Sequence, residues 1–274
     1  MTEPYPNAPL VMVAAEIRFP ELPHNRLRAC TEQLKDEFRP ILPLYDVVNH
    51  TKVEFVAGGG QSRHEVFTFP RFKTRDSTMA LVINPTSLVI ETTRYTGYED
   101  LRPTLEAVIR SVSEILGPDG LNRIGLRYID EIRVPNISAH PGDWSGYIDE
   151  HLLAAVDDKF LPDGLLPHSW VGRVQYKTGN ASMLTLHYGP MDGYAVGPAS
   201  DGAKRRDVPP PGPFFLLDSD SAWSAEDIVP EFTTDVAMTI LDEIHAPVSA
   251  IFHAACTDSL RMTVFSKPAK RAKR

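Results

Sequence analysis

The sequence predicts an α+β fold, with antiparallel sheets covered on one face by helices. Short turns such as Asn84–Ser87 and Thr178–Asn180 join its β-rich segments, and turns this short connect antiparallel rather than parallel strands. Amphipathic segments with apolar residues at helical spacing separate the groups of strands. The order of strand, helix, several strands and helix occurs twice, and is interpreted as a pseudo-duplicated strand-helix-strands-helix unit.

The first half, residues 1–118, is predicted to hold five strands and two helices. The strand at 10–19 is largely apolar on both faces and ends before Pro20, so we expect it near the centre of a sheet. The other strands are predicted at 44–57, 64–72, 78–84 and 87–95, and the helices at 24–38 and 98–116.

The second half, residues 119–266, is predicted to follow the same order. Strands are predicted at 123–134, 170–177, 182–189 and 214–219, a helix at 144–156, and a loop rich in Gly and Pro at 190–213. A last helix is predicted at 225–256. Ser224 and Asp227 resemble a capping box at its start, and Pro247 predicts a kink within it.

Length and composition are those of a globular protein. With 274 residues, 42% hydrophobic and 23% charged, the chain can bury a large core, and residues 1–266 are assigned to a single compact domain. No apolar run reaches the roughly 18 residues that a membrane span needs, and the N-terminus lacks the features of a signal peptide. Cys30 and Cys256 are too few for a disulfide framework, so we expect a cytoplasmic protein with reduced thiols.

Charge is distributed unevenly along the chain. Residues 267–274 carry five of the 28 basic side chains, so the remainder keeps 23 basic against 36 acidic residues, a net charge of −13. This negative net charge of the remaining chain argues against a broad phosphate-binding surface. The basic tail is expected to be disordered; the alternative is weak contact with nucleic acid through Lys267, Lys270, Arg271, Lys273 and Arg274.

No segment carries a recognisable catalytic or cofactor-binding motif. The glycine-rich Gly58–Arg63 lacks the Gly-Lys-Ser/Thr ending of a phosphate loop, and Gly142–Gly146 lacks the spacing of a nucleophile elbow. His245, His253 and Cys256 do not have the spacing of zinc ligands. Catalytic residues, metals and cofactors are therefore not assigned, and enzymatic activity is left open.

The most informative polar residues lie on the predicted strand 123–134. Because side chains alternate along a strand, three charged residues share one of its faces: Arg123, Arg127 and Glu131. The opposite, core-facing side carries Tyr128 among apolar residues, with Asp130 as its odd polar member.

Glu16 and Arg18 form a similar polar step on the first predicted strand. One interpretation is a binding face on which the arginines hold carboxylate or phosphate groups of a ligand or partner. The other is a structural network beneath covering loops, in which Arg127 pairs with Glu16 or Glu131.

The same segments carry a family resemblance. Residues 5–9 (YPNAP), 13–19 (VAAEIRF) and 123–132 (RIGLRYIDEI) resemble an uncharacterised, sporadically distributed bacterial protein family of about this length. The similarity covers essentially the whole chain, although the family pattern has Asn at the position of Asp130 and lacks the basic tail. The resemblance implies no activity, cofactor or substrate. A patchy distribution is typical of accessory genes in mobile or defence loci, which is an association and not a mechanism.

Three functional hypotheses remain. The first is a non-enzymatic binding protein that recognises a protein partner or a small anionic ligand over the polar strand face, as an antitoxin-like or defence-locus component. The second is a nucleic-acid-associated protein that uses the basic tail and the Arg205-Arg206 loop. The third is an enzyme with a dispersed active site, which a deep pocket holding two ionisable groups with perturbed pKa values would support. Homo-oligomerisation through an exposed strand edge is a further expectation.

Overall fold

The described part of the chain folds around one large antiparallel sheet. The computed structural model describes residues 5–23, 25–55, 62–137, 141–156, 160–165, 167–198 and 201–266, and of residues 50–55 and 62–66 only the backbone. Within these ranges nine strands form a single sheet with helices packed against it. The predicted α+β class is therefore confirmed, with one continuous sheet in place of separate sheets.

Most element boundaries lie close to those expected from the sequence. The strands are β1 (Leu10–Arg18), β2 (Leu44–Phe55), β3 (Ser62–Lys73), β4 (Met79–Asn84), β5 (Ser87–Thr92), β6 (Arg123–Ile132), β7 (Gly172–Lys177), β8 (Ser182–Met191) and β9 (Phe214–Ser224). The α-helices are α1 (Arg26–Phe38), α2 (Tyr98–Ile115), α3 (Glu150–Leu153), α4 (Thr234–Ala255) and α5 (Asp258–Leu260).

The sheet has the strand order β2-β3-β4-β5-β1-β6-β9-β8-β7. β1 and β6 are antiparallel neighbours at its centre, and each is followed along the chain by strands that start at an outer edge and return inward. The two predicted halves of the chain thus supply opposite sides of one sheet. The strand order of the sheet matches the repeated order of elements predicted from the sequence. The division of the domain into two pseudo-repeated halves stays a prediction.

Helices α1, α2 and α4 cover one face of the sheet. Alternate residues of β1, from Val13 to Ile17, and of β6, such as Leu126, point into the core beneath them. Leu34, Val112 and Leu241, one from each helix, are fully buried in the same core. Burial of this apolar face is the main favourable contribution to folding.

Between β8 and β9, residues 192–198 and 201–213 lie across the opposite face of the sheet, and we call these residues the strap. Glu131 on β6 holds one end of it, because its fully buried carboxylate accepts hydrogen bonds from Arg205, Arg133 and the backbone N–H of Ala195, at 2.8, 2.8 and 3.0 Å. Farther along, the N–H of Ala203 donates to Glu91 of β5.

Asp201 and Arg206 of the strap extend these contacts towards the β2 edge of the sheet. Arg71 of β3 donates to the carbonyl oxygen of Asp201 at 2.5 Å, and Arg206 donates to the carbonyl oxygen of Asp76. The strap is thereby attached to β6, β5, β3 and the β3–β4 turn.

Two sequence-based predictions are wrong in this half of the chain. Residues 144–156 do not form one helix: a 3₁₀ turn ends at Trp144, which is fully buried against Phe215, and the segment becomes helical again only in α3.

The last helix begins at Thr234 rather than at 225. Residues up to Ser224 continue β9 because they pair with both β6 and β8, and Thr233 caps α4 by accepting from the N–H of Val236.

No helix in the described ranges is both long and apolar enough to cross a membrane.

We predict that the Glu131→Gln substitution destabilises the protein by about 3 kcal/mol, since it leaves Arg133 and Arg205 partly buried without their counter-ion. Chemical denaturation gives the change in the free energy of unfolding. Asp36→Asn is the matched control, because it removes an exposed ion pair with Arg39, and its effect should stay within about 1 kcal/mol. Equal effects of the two substitutions would show that Glu131 does not hold the strap.

Candidate functional site

The predicted polar face is an ion-pair network in the structure. Arg123 donates to Glu16 at 2.7 Å, and Arg18 lies 3.0 Å from the same carboxylate. Arg127 donates two hydrogen bonds, of 2.7 and 2.6 Å, to Asp218 on the adjacent β9. The expected pairing of Arg127 with Glu16 or Glu131 is therefore wrong, because the β6–β9 register places Asp218 diagonally beside Arg127.

The five residues predicted for this face have different partners in the structure. Arg18, Glu16 and Arg123 cluster together, whereas Arg127 pairs separately with Asp218 and Glu131 is buried beneath the strap. A cavity of about 540 Å³ lies between strap and sheet, with Arg127 and Glu91 among its walls. Binding of an anion here stays a prediction, and it would have to compete with carboxylates that already hold the guanidinium groups.

The basic residues predicted to contact nucleic acid are divided between two regions. Lys267, Lys270, Arg271, Lys273 and Arg274 lie outside the described residues. Arg205 and Arg206 belong to the strap and hold it to Glu131 and to the backbone of Asp76. Their guanidinium groups serve internal contacts in this conformation.

A second cavity lies on the opposite, helix-covered face of the sheet. It has a volume of about 250 Å³ and sits between the end of β6, helix α4, the loop before α2 and the N-terminal segment. We call it the tyrosine pocket, after Tyr95, Tyr98 and Tyr128 in its walls. The exposed residues Thr96, Ser249 and His253 lie at its mouth.

A β-bulge in β1 lies directly beside this pocket. Leu10 pairs with Asp130 and Met12 with Ile129, so that Val11 is an extra residue in the strand. Leu10 lines the tyrosine pocket, whereas Val11 and Met12 both pack beneath the strap. At the bulge, two successive side chains of β1 face the strap, so the alternation that directs every second side chain towards the helices is interrupted. This interruption lies beside Asp130, whose side chain faces the helices.

Tyr95, Tyr128 and His245 form a continuous hydrogen-bonded chain along one wall. The Tyr95 and Tyr128 hydroxyl oxygens are 3.4 Å apart, and the Tyr128 hydroxyl is 3.1 Å from Nδ1 of His245. Burial lowers the pKa of His245, which favours a neutral ring whose Nδ1 can accept a hydrogen bond from the Tyr128 hydroxyl. Burial also raises the pKa values of Tyr95 and Tyr128, so both phenols stay protonated.

Tyr98 is held in place on two sides. Its ring stacks on His245 with the centroids 3.9 Å apart, and its hydroxyl donates to Asp242 at 2.8 Å. Arg102 donates to both oxygens of the same carboxylate, and this bond holds the pKa of Asp242 below its ordinary value. Because these contacts join α2 to α4, the pocket wall is fixed by the packing of the two helices.

Asp130 is the exceptional residue of the pocket. Its side chain lines the cavity and is 5% exposed, and within the described residues it makes neither a hydrogen bond nor an ion pair. Burial, with a smaller contribution from the negative charge of Asp218, raises the pKa of its carboxyl to about 8. A buried polar group without a partner is costly to the fold and is common at functional sites.

The described residues contain no group of three or more His, Cys, Asp and Glu side chains able to hold a metal ion. The pocket instead offers one titratable carboxyl, four phenols and two imidazoles, arranged around a mainly apolar space. Such an arrangement can bind a small organic ligand through a few directed polar contacts.

Comparison with known proteins identifies no family. No protein-family model matches the chain, and no curated protein matches it in sequence. The resemblance based on residues 5–9 and 123–132 stays a prediction. Function must therefore be argued from the site.

Sequence reasoning missed this pocket, although two signals pointed to it. Strand alternation had placed Asp130 on the core-facing side of β6, where an acidic residue needs an explanation. The segment at residues 5–9 that carries the family resemblance also contributes Tyr5, Ala8 and Pro9 to the lining. Tyr95, Tyr98 and His245 gave no signal, because ordinary helix and loop patterns account for them.

We predict that the free energy of unfolding of Asp130→Asn, measured relative to that of the natural protein, rises as pH increases from 5 to 8. The folded-state pKa of Asp130, about 8, lies above its ordinary value of 3.8, so folding favours the protonated acid. The natural protein loses this stability as pH rises towards 8, by up to about 1.4 kcal/mol per pH unit, whereas Asn stays neutral. Urea denaturation at several pH values measures the difference.

Asp76→Asn is the matched control for this experiment. Hydrogen bonds from Thr74 and Thr78 lower the pKa of Asp76 to about 2, so its contribution is present above pH 4 and is lost only at lower pH. Between pH 5 and 8 the effect of Asp76→Asn should therefore be constant. A constant effect of Asp130→Asn over the same range would mean that Asp130 is already ionised in the folded protein.

Proposed function

We propose that this protein binds a small molecule in the tyrosine pocket. The observation that carries the proposal is Asp130, a buried carboxyl without a partner, facing a 250 Å³ cavity that opens to solvent. One water occupies roughly 30 Å³ in the liquid, and known ligand pockets span roughly 300–1,000 Å³. The tyrosine pocket therefore suits a compact ligand, and a donor group on that ligand would satisfy Asp130.

The walls of the pocket are organised before any ligand enters. Tyr98 is fixed by stacking and by its bond to Asp242, and Tyr128 is held between Tyr95 and His245. A ligand therefore does not need to order these side chains, and binding loses less conformational entropy than it would in a flexible site.

The pocket is a better candidate than the polar strand face. The arginines at positions 123 and 127 already hold the carboxylates of Glu16 and Asp218, whereas Asp130 has none of its bonding capacity used within the described residues. Binding over the polar face thus competes with existing ion pairs. Binding in the pocket instead relieves an unsatisfied group.

A second candidate function is acid–base catalysis on the bound molecule. It is favoured by the raised pKa of Asp130, about 8, in the same pocket as His245, whose pKa is lowered by burial. Enzymes commonly hold such pairs of groups with pKa values moved towards neutrality. This candidate corresponds to the dispersed active site considered from the sequence.

We also propose that the protein acts in a reducing compartment such as the cytoplasm. Cys30 and Cys256 are both free thiols, and such a compartment keeps thiols reduced.

Blocking the mouth of the pocket tests the proposed function. We expect the natural protein to be thermally stabilised by members of a fragment library that spans cations, anions and neutral compounds, because a ligand that binds only the folded state raises stability. Ser249→Phe places a bulky side chain at the mouth and should abolish these shifts. Ala250→Phe, the neighbouring exposed position of α4 outside the lining, is the matched control and should retain them.

Equal shifts in both variants would place binding elsewhere, and the absence of any stabilising fragment would contradict the proposal. Mass spectrometry of the recovered fragments separates the two candidate functions. Unchanged compounds indicate binding alone, whereas a chemical change that requires Asp130 indicates catalysis.

A further inference from the structure

Building on the proposed function, we propose that the tyrosine pocket selects a small organic cation whose ammonium group lies against the carboxylate of Asp130. Three features of the pocket favour a cation: the charge of its lining, its aromatic surfaces and the absence of a protein partner for Asp130 within the described residues.

The lining lacks a positive charge that could serve Asp130. None of the described residues around the pocket is Lys or Arg. The guanidinium of Arg102 is bound to both oxygens of Asp242, and that of Arg261 donates to the carbonyl oxygen of His253 and to the carboxylate of Asp258. An anionic ligand would therefore meet Asp130 without compensation, whereas a cation would supply the counter-ion that the fold omits.

The aromatic walls favour the same sign of charge. The faces of aromatic rings carry negative potential and attract an ammonium group within about 6 Å of their centroids, most strongly where water is excluded. Tyr95 and Tyr128 meet edge to face with centroids 5.6 Å apart, and Tyr98 lies beside them on α2. The phenolic oxygens are further acceptors for the N–H groups of the ligand.

Proton linkage follows from the surroundings of Asp130. The ionisable groups that line its pocket or act on its charge are Tyr128 on β6, Tyr95 and Tyr98 beside α2, His245 and His253 on α4, Cys256 after α4, Tyr5, and Asp218 on the opposite face of β9. Burial raises the pKa of Cys256 to about 12, and Asp218 is already bound to Arg127. Asp130 is thus the group expected to lose a proton near neutral pH when a cation binds.

The experiment compares three probes of one shape and different charge, namely benzylamine, benzyl alcohol and benzoate. Calorimetry with the full-length protein should show benzylamine binding at least about tenfold more tightly than benzyl alcohol, because a charge-assisted hydrogen bond is roughly twice as strong as a neutral one. Benzoate should not bind. Asp130→Asn should remove the preference for benzylamine over benzyl alcohol.

The pH dependence provides an independent readout. Benzylamine stays protonated between pH 6 and 8, so its affinity should rise by up to about tenfold per pH unit over this range as Asp130 ionises. Calorimetry in two buffers of different ionisation enthalpy should show proton release below pH 8. Asp130→Asn, which has nothing to ionise, should show neither effect.

The outcomes separate the two proposals. Tighter binding of benzyl alcohol or benzoate, still blocked by Ser249→Phe, would overturn the preference for cations and leave the binding function standing. A benzylamine preference that survives in Asp130→Asn would also overturn it. If neither the three probes nor any fragment of the library binds in the pocket, both proposals fail.

Discussion

The antiparallel pairing of β1 with β6 at the centre of the sheet is the constraint on which the rest of the structure depends. It fixes which residues of β6 face the helices and which face the strap, because neighbouring side chains of a strand point to opposite faces. Asp130 and Glu131 are therefore adjacent in sequence and lie in different environments. Glu131 is bound by two arginines that attach the strap, whereas Asp130 faces the tyrosine pocket without a partner.

This contrast between two adjacent carboxyl groups links stability to function. A buried acid that is satisfied by charged partners rigidifies its surroundings, as Glu131 does for the strap. An unsatisfied one is a cost that the remaining core must offset, and the large apolar cluster beneath α1, α2 and α4 can do so. A ligand with a donor group for Asp130 would recover part of this cost.

The fold was more predictable from the sequence than the site was. Turns such as Asn84–Ser87 determine local antiparallel pairing, and alternation alone placed Asp130 on the core-facing side of β6. The bulge at Val11 could not be predicted because Leu10, Val11 and Met12 are equally apolar. The predicted helix start at Ser224 was wrong because a local capping pattern was outweighed by pairing of β9 with β6 and β8. The pocket joins residues far apart in the chain, 117 positions for Tyr128 and His245 and 144 for Tyr98 and Asp242, and no local pattern records such contacts.

Titration of Asp130 by carboxyl ¹³C nuclear magnetic resonance tests the central claim most directly. The resonance is assigned as the one that disappears in Asp130→Asn, and its chemical shift is followed from pH 3 to pH 10 in the absence of ligand. The structure predicts a midpoint near 8, displaced upward by burial and by the charge of Asp218. A midpoint near the ordinary value of 3.8 would show that Asp130 is solvated or paired in solution, and would contradict the proposal that the tyrosine pocket binds a small cation through a buried carboxyl without a protein partner.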